Sequence, residues 1–192
     1  ETDITISLNE PEKMVNDAKE AVKKGFKILK IKVGVDPNKD FQRVKMIREN
    51  IGTDIKIRLD ANQGWNIKEA LSLMKKLEKY DIELLEQPVI NWNIEGLKYL
   101  RNCLSLPIVA DESVFNVHDA LNIIRLNAAD MINIKLMKCG GIYNAIKINK
   151  IAEAAGIECM IGCMIESKIS VTAASHFAAA FKNITKADLD SP

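Results

Sequence analysis

The sequence predicts a TIM-like (β/α)7β barrel of the α/β class, and three observations carry that prediction. Short apolar runs recur along the whole chain, with ends near positions 8, 32, 60, 86, 111, 135, 163 and 188, so one unit repeats every 24 to 28 residues. The runs are nearly continuous in Ile, Val and Leu, as parallel strands buried on both faces require. Between them lie segments of helical period, and alternating strand and helix build a parallel sheet. Eight strands and seven connecting helices close a barrel without a final helix.

The elements follow in order. Strands are expected at Ile4–Leu8, Phe26–Val33, Ile55–Asp60, Ile82–Glu86, Pro107–Asp111, Met131–Lys135, Glu158–Cys163 and Ile184–Asp190. Glu12–Lys24 carries Met14, Val15, Ala18, Ala21 and Val22 on one stripe. Ile67–Lys79 repeats the pattern with Ala70, Leu71, Met74 and Leu77, and Val117–Leu126 with Ala120, Leu121 and Ile124. Each stripe marks a helix packed by one face. An open doubly wound sheet would need a switch point, and no Gly-x-Gly-x-x-Gly follows the first strand to support one. Residues 1–192 therefore read as one catalytic barrel domain. At 192 residues it is shorter than the roughly 250 typical of such barrels.

Composition narrows the function. The chain is 47% hydrophobic and 28% charged, with a net charge of +1. That balance offers no field for nucleic acid or a membrane surface, and no apolar stretch is long enough to span a bilayer. Cys103, Cys139, Cys159 and Cys163 form no Cys-x-x-Cys or Cys/His zinc spacing. They read as reduced thiols of a cytoplasmic protein.

The charged residues fall where a barrel places its chemistry, at the carboxyl ends of strands. Lys30 and Lys32 are two apart, hence on one face, as are Asp188 and Asp190; Ile31 and Leu189 point the other way. Asp60, Glu86 and Asp111 end the third, fourth and fifth strands. Neighbouring strands lie about 4.8 Å apart, so the three carboxylates converge and raise one another's pKa. A divalent cation resolves that repulsion, and all-oxygen ligation suits Mg²⁺, with Mn²⁺ as the other choice. The competing role for any one of them is to cap the next helix.

Lys32 and Lys135 end strands two and six, four positions apart in an eight-strand ring. They can approach one substrate carbon from opposite sides, or serve as ion pairs to the acids. In the first role one base removes a proton and the conjugate acid of the other returns it on the opposite face. Nearby Mg²⁺ and the other lysines are expected to lower their pKa, and the metal would take up the charge of an enediolate. Lys30 is expected to stay charged and hold a substrate carboxylate. Asn62, Gln63 and Gln87 are placed to orient ligands or to shape turns. Glu112 either orients Lys135 or caps a helix. Asp188 and Asp190 suit a substrate ammonium group, or a turn.

These residues resemble the enolase superfamily in its muconate-lactonizing-enzyme subgroup. The matching stretches are Lys-Ile-Lys-Val-Gly at 30–34, Asp-Ala-Asn-Gln-Gly-Trp at 60–65, Glu-Gln-Pro at 86–88, Ala-Asp-Glu-Ser at 110–113 and Asn-Ile-Lys-Leu-Met-Lys-Cys-Gly-Gly at 133–141. The resemblance implies Lys32 and Lys135 as the acid/base pair and Asp60, Glu86 and Asp111 as metal ligands. The Asp-x-Asp element at Asp188 and Asp190 is similar to that of dipeptide epimerases, where it holds the free amino group. Gly-Cys-Met-Ile-Glu-Ser at 162–167 is similar too, so Cys163 and Met164 either line the substrate pocket or pack in the core. The implied activity is epimerisation at the α-carbon of a dipeptide's C-terminal residue. N-acylamino-acid racemase, o-succinylbenzoate synthase, cycloisomerase and an inactive metal-binding barrel are the alternatives. Members of the family carry a capping domain over the barrel mouth, which is expected to be missing from this chain, and barrels of this group assemble as homo-oligomers.

Overall fold

A computed structural model describes residues 1–190. Eight strands form one sheet in sequential order, and every neighbouring pair is parallel. The strands are β1 (Ile4–Ile6), β2 (Ile28–Lys32), β3 (Lys56–Asp60), β4 (Ile82–Glu86), β5 (Ile108–Ala110), β6 (Met131–Lys135), β7 (Glu158–Gly162) and β8 (Ile184–Asp188). The connecting helices are α1 (Pro11–Lys23), α2 (Pro37–Ile51), α3 (Ile67–Leu77), α4 (Ile94–Cys103), α5 (Val117–Leu126), the single turn α6 (Leu136–Cys139), α7 (Ile142–Ala154) and α8 (Lys168–Ala180). The (β/α)7β architecture is as the sequence predicts. The turn α6 is an addition, ended by Gly140 in the left-handed region at φ 79°.

Local sequence sets the helix starts. Pro11 and Pro37 open α1 and α2, where a missing N–H costs nothing. Asn66 with Glu69, and Asn116 with Asp119, form reciprocal capping boxes on α3 and α5. Asn93 caps α4 by accepting from the Gly96 N–H at 3.0 Å. All three caps are asparagines in the loops, so Asp60, Glu86 and Asp111 are not spent as helix caps.

The outward faces of the strands and the inner faces of the helices share one apolar core, with Leu29, Ile31, Ile57, Leu59, Leu85 and Ile161 fully buried. The inside of the barrel is divided. Leu84, Val109, Met131 and Met160, one from each of β4 to β7, make a separate apolar cluster. The other half holds Asp3, Lys30, Arg58 and Asp188, all buried. Arg58 donates from Nη1 to Asp3 Oδ2 at 2.8 Å and from Nε to Glu83 Oε2 at 2.6 Å. A register shift opposite Arg58 leaves Glu83 out of the β3–β4 pairing.

The seam between β8 and β1 closes the ring with few bonds. The Asp3 N–H donates to Ala187 O at 3.3 Å, Leu189 N–H to Thr2 Oγ1 at 2.8 Å and Thr5 N–H to Asp190 Oδ2 at 2.7 Å. Inside that seam the Asp3 and Asp188 carboxyls lie close enough to shift each other's titration. Each has one buried oxygen without a conventional donor, Asp3 Oδ1 and Asp188 Oδ1. A proton held between the two carboxyls would serve both. Burial, then the Asp188 charge, pushes the Asp3 carboxyl up to about 8. Burial also disfavours the Asp188 charge, but Lys30 and Asp3 outweigh it and hold Asp188 below its ordinary value.

This pair predicts a pH dependence of stability. Asp3 titrates near 3.8 unfolded and near 8 folded, so folding retains a proton between those values. The contribution is complete below pH 3.8 and is lost as pH rises through 8. Asp3→Asn supplies a permanent donor and removes the loss. Guanidinium titrations at a series of pH values should show the unfolding free energy of the wild type falling relative to the variant from about pH 4 to 8. Parallel curves would contradict the shared proton.

Candidate active site

Register brings the charged strand ends into one row. Lys32 lies beside Asp60, and Asp60 beside Glu86. Lys135 lies beside Gly162, and Gly162 beside Asp188. Asp111 sits one residue past β5. The loops above are fixed from below. Asp40, wholly buried on α2, accepts from the Gly34 N–H at 2.9 Å, Trp65 Nε1 at 3.1 Å and Arg43 Nη1 at 2.7 Å. It thereby ties the loop after β2 to the loop after β3. Gln87, also buried, links the loops after β4 and β5. Its Oε1 accepts from the Asp111 N–H at 2.9 Å and the Ser113 N–H at 3.1 Å. Asn62, Gln63 and Gln87 have φ of 41°, 70° and 36°. Left-handed backbone at non-glycine residues is uncommon and concentrates at functional sites.

Each acid already holds a partner. Lys32 Nζ donates to Asp60 Oδ2 at 2.6 Å and to Asn62 Oδ1 at 2.8 Å. Asn133 Nδ2 donates to Glu86 Oε1 at 2.6 Å. Lys135 Nζ donates to Asp111 Oδ2 at 2.7 Å. Lys138 Nζ, on α6, donates to Asp111 Oδ1 as well as to Asp111 O at 2.6 Å and Asn133 O at 3.1 Å. Among the described residues, no three Asp, Glu, His or Cys side chains are drawn together into a ready ligand cage.

The fit to a cation shows in the electrostatics instead. Glu86 is fully buried, and its Oε2 has no hydrogen-bond partner. Burial, then the Asp60 charge, pushes the Glu86 carboxyl well above the ordinary carboxylate range, with Asp111 adding to the rise. A buried carboxyl raised by two like charges, with a lone oxygen turned from any donor, is what a divalent ion would relieve. Asp60, Glu86 and Asp111 are thus suited in type and placement to hold Mg²⁺.

The geometry corrects one expectation, that Glu112 orients Lys135. Lys135 is expected below the ordinary lysine value with Mg²⁺ beside it, and without the ion the balance runs the other way. Burial does pull it down, but the Asp111 and Glu86 charges more than reverse this, and it sits above that value. Asp111 is the counterpart: burial raises it, yet Lys138 and Lys135 hold it down to about 2. Glu112 does not reach Lys135. Its Oε1 accepts from Asn62 Nδ2 at 2.9 Å, so it bears on Lys32 through Asn62.

The substrate-binding candidates divide. Lys30 is buried and engaged by Asp188, with Asp60 Oδ2 at 3.7 Å. Asp188 is likewise buried. Asp190 is half-buried, with one oxygen on the Thr5 N–H. Cys163 is half-buried and Met164 is exposed in the loop after β7. Sequence reasoning missed Asn133, Lys138, Asp3 and Arg58. Asn133 and Arg58 each stand two residues before a site residue on the same strand, so alternation alone puts them on the inner face. A surface groove lined by Met74, Leu77, Cys103 and Pro107 opens at the opposite end of the barrel and holds none of these groups.

Fold and site together define a parallel eight-stranded barrel whose mouth gathers lysines and carboxylates from successive strand ends. Residues 13–191 match the family described as Enolase C-terminal domain-like, and the chain belongs to that family. It is 55% identical to the L-Ala-D/L-Glu epimerase of Clostridium acetobutylicum, over all of this chain and 54% of that protein. The substrate-liganded structure of the L-Ala-D/L-Glu epimerase from Bacillus subtilis matches at a TM-score of 0.99 and 51% identity, over all of this chain and 54% of the other. The dipeptide epimerase of Enterococcus faecalis, complexed with Mg and the dipeptide L-Leu-L-Tyr, matches at a TM-score of 0.97 and 56% identity, over 98% of this chain and 54% of the other. The chain thus spans about half the length of the relatives it matches. No described helix is long and apolar enough to cross a membrane.

Proposed function

We propose that the protein carrying this chain is a Mg²⁺-dependent dipeptide epimerase working by two-base proton transfer. One observation carries the reading. Lys32 and Lys135, from strands four positions apart, each donate to a different member of the same acid group, Asp60 and Asp111. A structural ion pair needs one lysine; inversion of a carbon needs a base on each face. The similarity to epimerases at 51–56% identity supports the same reading.

The chain's own residues then take defined tasks. Asp60, Glu86 and Asp111 would hold the ion, and the ion when bound supplies positive charge beside the substrate carboxylate. One lysine, as the free amine, takes the α-proton, and the C–H electron pair passes into the substrate's carboxylate system. The other lysine, as the ammonium, delivers its proton to the opposite face. Asn133 holds Glu86, and Lys138 holds Asp111, so both carboxylates are oriented before substrate arrives. Lys30 keeps the Asp188 side of the mouth neutral. Asp190, the more accessible of the two acids, is the better candidate for a substrate ammonium group.

In the full-length protein, Lys32→Ala and Lys135→Ala should each abolish epimerisation. Each should retain solvent-deuterium exchange at the α-carbon of one epimer only, and the two retained epimers should differ. Proton NMR of each epimer in D2O reads this directly, and normal exchange of both epimers by both variants would end the two-base assignment.

A second reading, racemisation of N-acylated amino acids, draws on the engagement of Asp188 by Lys30 and Asp3, which leaves one acid rather than two facing an ammonium group. Asp190→Asn separates them, because the amide oxygen can still accept from the Thr5 N–H and keep the seam. kcat/KM for dipeptides should fall at least about tenfold more than for N-acyl amino acids, the size expected for one charge-assisted bond. Equal losses favour the second reading.

A further inference from the structure

The row of inward side chains at the barrel mouth has a gap at β7. Gly162 lies in register between Lys135 on β6 and Asp188 on β8, both of which carry long or charged side chains into the barrel. A Cβ placed at Gly162 would stand 2.6 Å from Asn133 Oδ1, 2.9 Å from Asn133 Nδ2 and 2.9 Å from Lys135 Cε. Those distances are below any real Cβ contact. The backbone itself does not demand glycine here, since Gly162 is absent from the residues with positive φ. The need is spatial, and it comes from two side chains at once.

Both neighbours belong to the acid/base and metal machinery. Asn133 is fully buried and its Nδ2 holds Glu86 Oε1 at 2.6 Å. Lys135 crosses the space beside Gly162 to reach Asp111 Oδ2 at 2.7 Å. Lys135 and Asp188 also feel each other's charge across the gap. We infer that Gly162 is a positioning residue for Lys135: its missing side chain is the channel along which the Lys135 stem runs to the reacting carbon, with Asn133 forming the other wall. This rests on the two-base reading above.

The asymmetry of the gap makes the role testable. Lys32 lies across the ring on β2, and neither Lys32 nor its partners Asp60 and Asn62 is among the atoms nearest to the added Cβ. A methyl at position 162 therefore pushes one base directly and not the other, while any shift of Asn133 acts through Glu86 on both exchanges alike. Lys135 Cε is near the end of a flexible stem, so it can yield with little loss of fold; a displacement of about 1 Å at a reacting group costs about a hundredfold in rate.

The experiment uses Gly162→Ala in the full-length protein, with Mg²⁺ present and each dipeptide epimer supplied separately in D2O. The epimer served by Lys135 is the one whose exchange Lys135→Ala removes. Its exchange should fall about a hundredfold further than that of the other epimer in Gly162→Ala, while Tm shifts by less than about 5 °C. Equal losses from both epimers, or no loss from either, would overturn the assignment. If Gly162→Ala does not fold, the double variant Gly162→Ala with Asn133→Gly is compared with Asn133→Gly alone, so that loss of the Glu86 contact is common to both and the methyl against Lys135 is the difference. The same ratio of exchange rates is then read, with the same two outcomes deciding. A wild type that exchanges neither epimer would instead sink the two-base reading, and the two failures cannot be confused.

Discussion

Three buried carboxylates at adjacent strand ends are the constraint around which the mouth is built. Two like charges 4 Å apart repel by about 4 kcal/mol even at an effective dielectric of 20, so Asp60, Glu86 and Asp111 need countercharge. Each of the nearby cations is placed to supply it. Lys32 goes to Asp60, and Lys135 and Lys138 go to Asp111. Glu86, the central acid, has only an amide, and burial pushes its carboxyl well above the ordinary carboxylate range. The lysines are thus both the counterions of the acids and the bases of the proposed chemistry. A divalent ion among the acids would free the lysines from the first task for the second.

The same logic explains the divided interior. On the apolar side, β4 to β7 fill the barrel with Leu84, Val109, Met131 and Met160. On the seam side, where among the described residues a single backbone hydrogen bond, from Asp3 N–H just before β1 to Ala187 O of β8, crosses, charge pairing does the closing. Arg58 joins β3 to Asp3 and to the Ala187 carbonyl of β8, and Lys30 joins β2 to Asp188. Removing one partner from such a buried pair typically costs about 3–5 kcal/mol, because the other is left uncompensated. The seam is held by the charges that also set the electrostatic background of the mouth.

Much of this was legible in the sequence. The repeat of apolar runs located all eight strands, and β4 and β6 have the bounds the runs suggested. Helix α5 likewise begins and ends where its stripe does. Strand ends were less legible: β1 and β5 are three residues each, since polar Ser7 and Asp111 leave the ladder although the apolar run reaches them. The charged residues were visible because Lys and Asp are conspicuous at the end of an apolar run. Their partners were not. Lys138 acts through one turn of helix that no periodicity announces, and the link from Glu112 to Lys32 depends on a left-handed backbone at Asn62. Gly162 is legible least of all, because its contribution is a side chain it lacks.

The central claim is that Asp60, Glu86 and Asp111 act together on one divalent ion. Its most direct test is a crystal of the full-length protein soaked in Mn²⁺, with anomalous density measured at the barrel mouth. The account predicts one peak ligated by oxygens of all three carboxylates, with the Lys135 amino group withdrawn from Asp111. Full Mn²⁺ saturation with no peak among the three acids, or a peak held elsewhere, would contradict it.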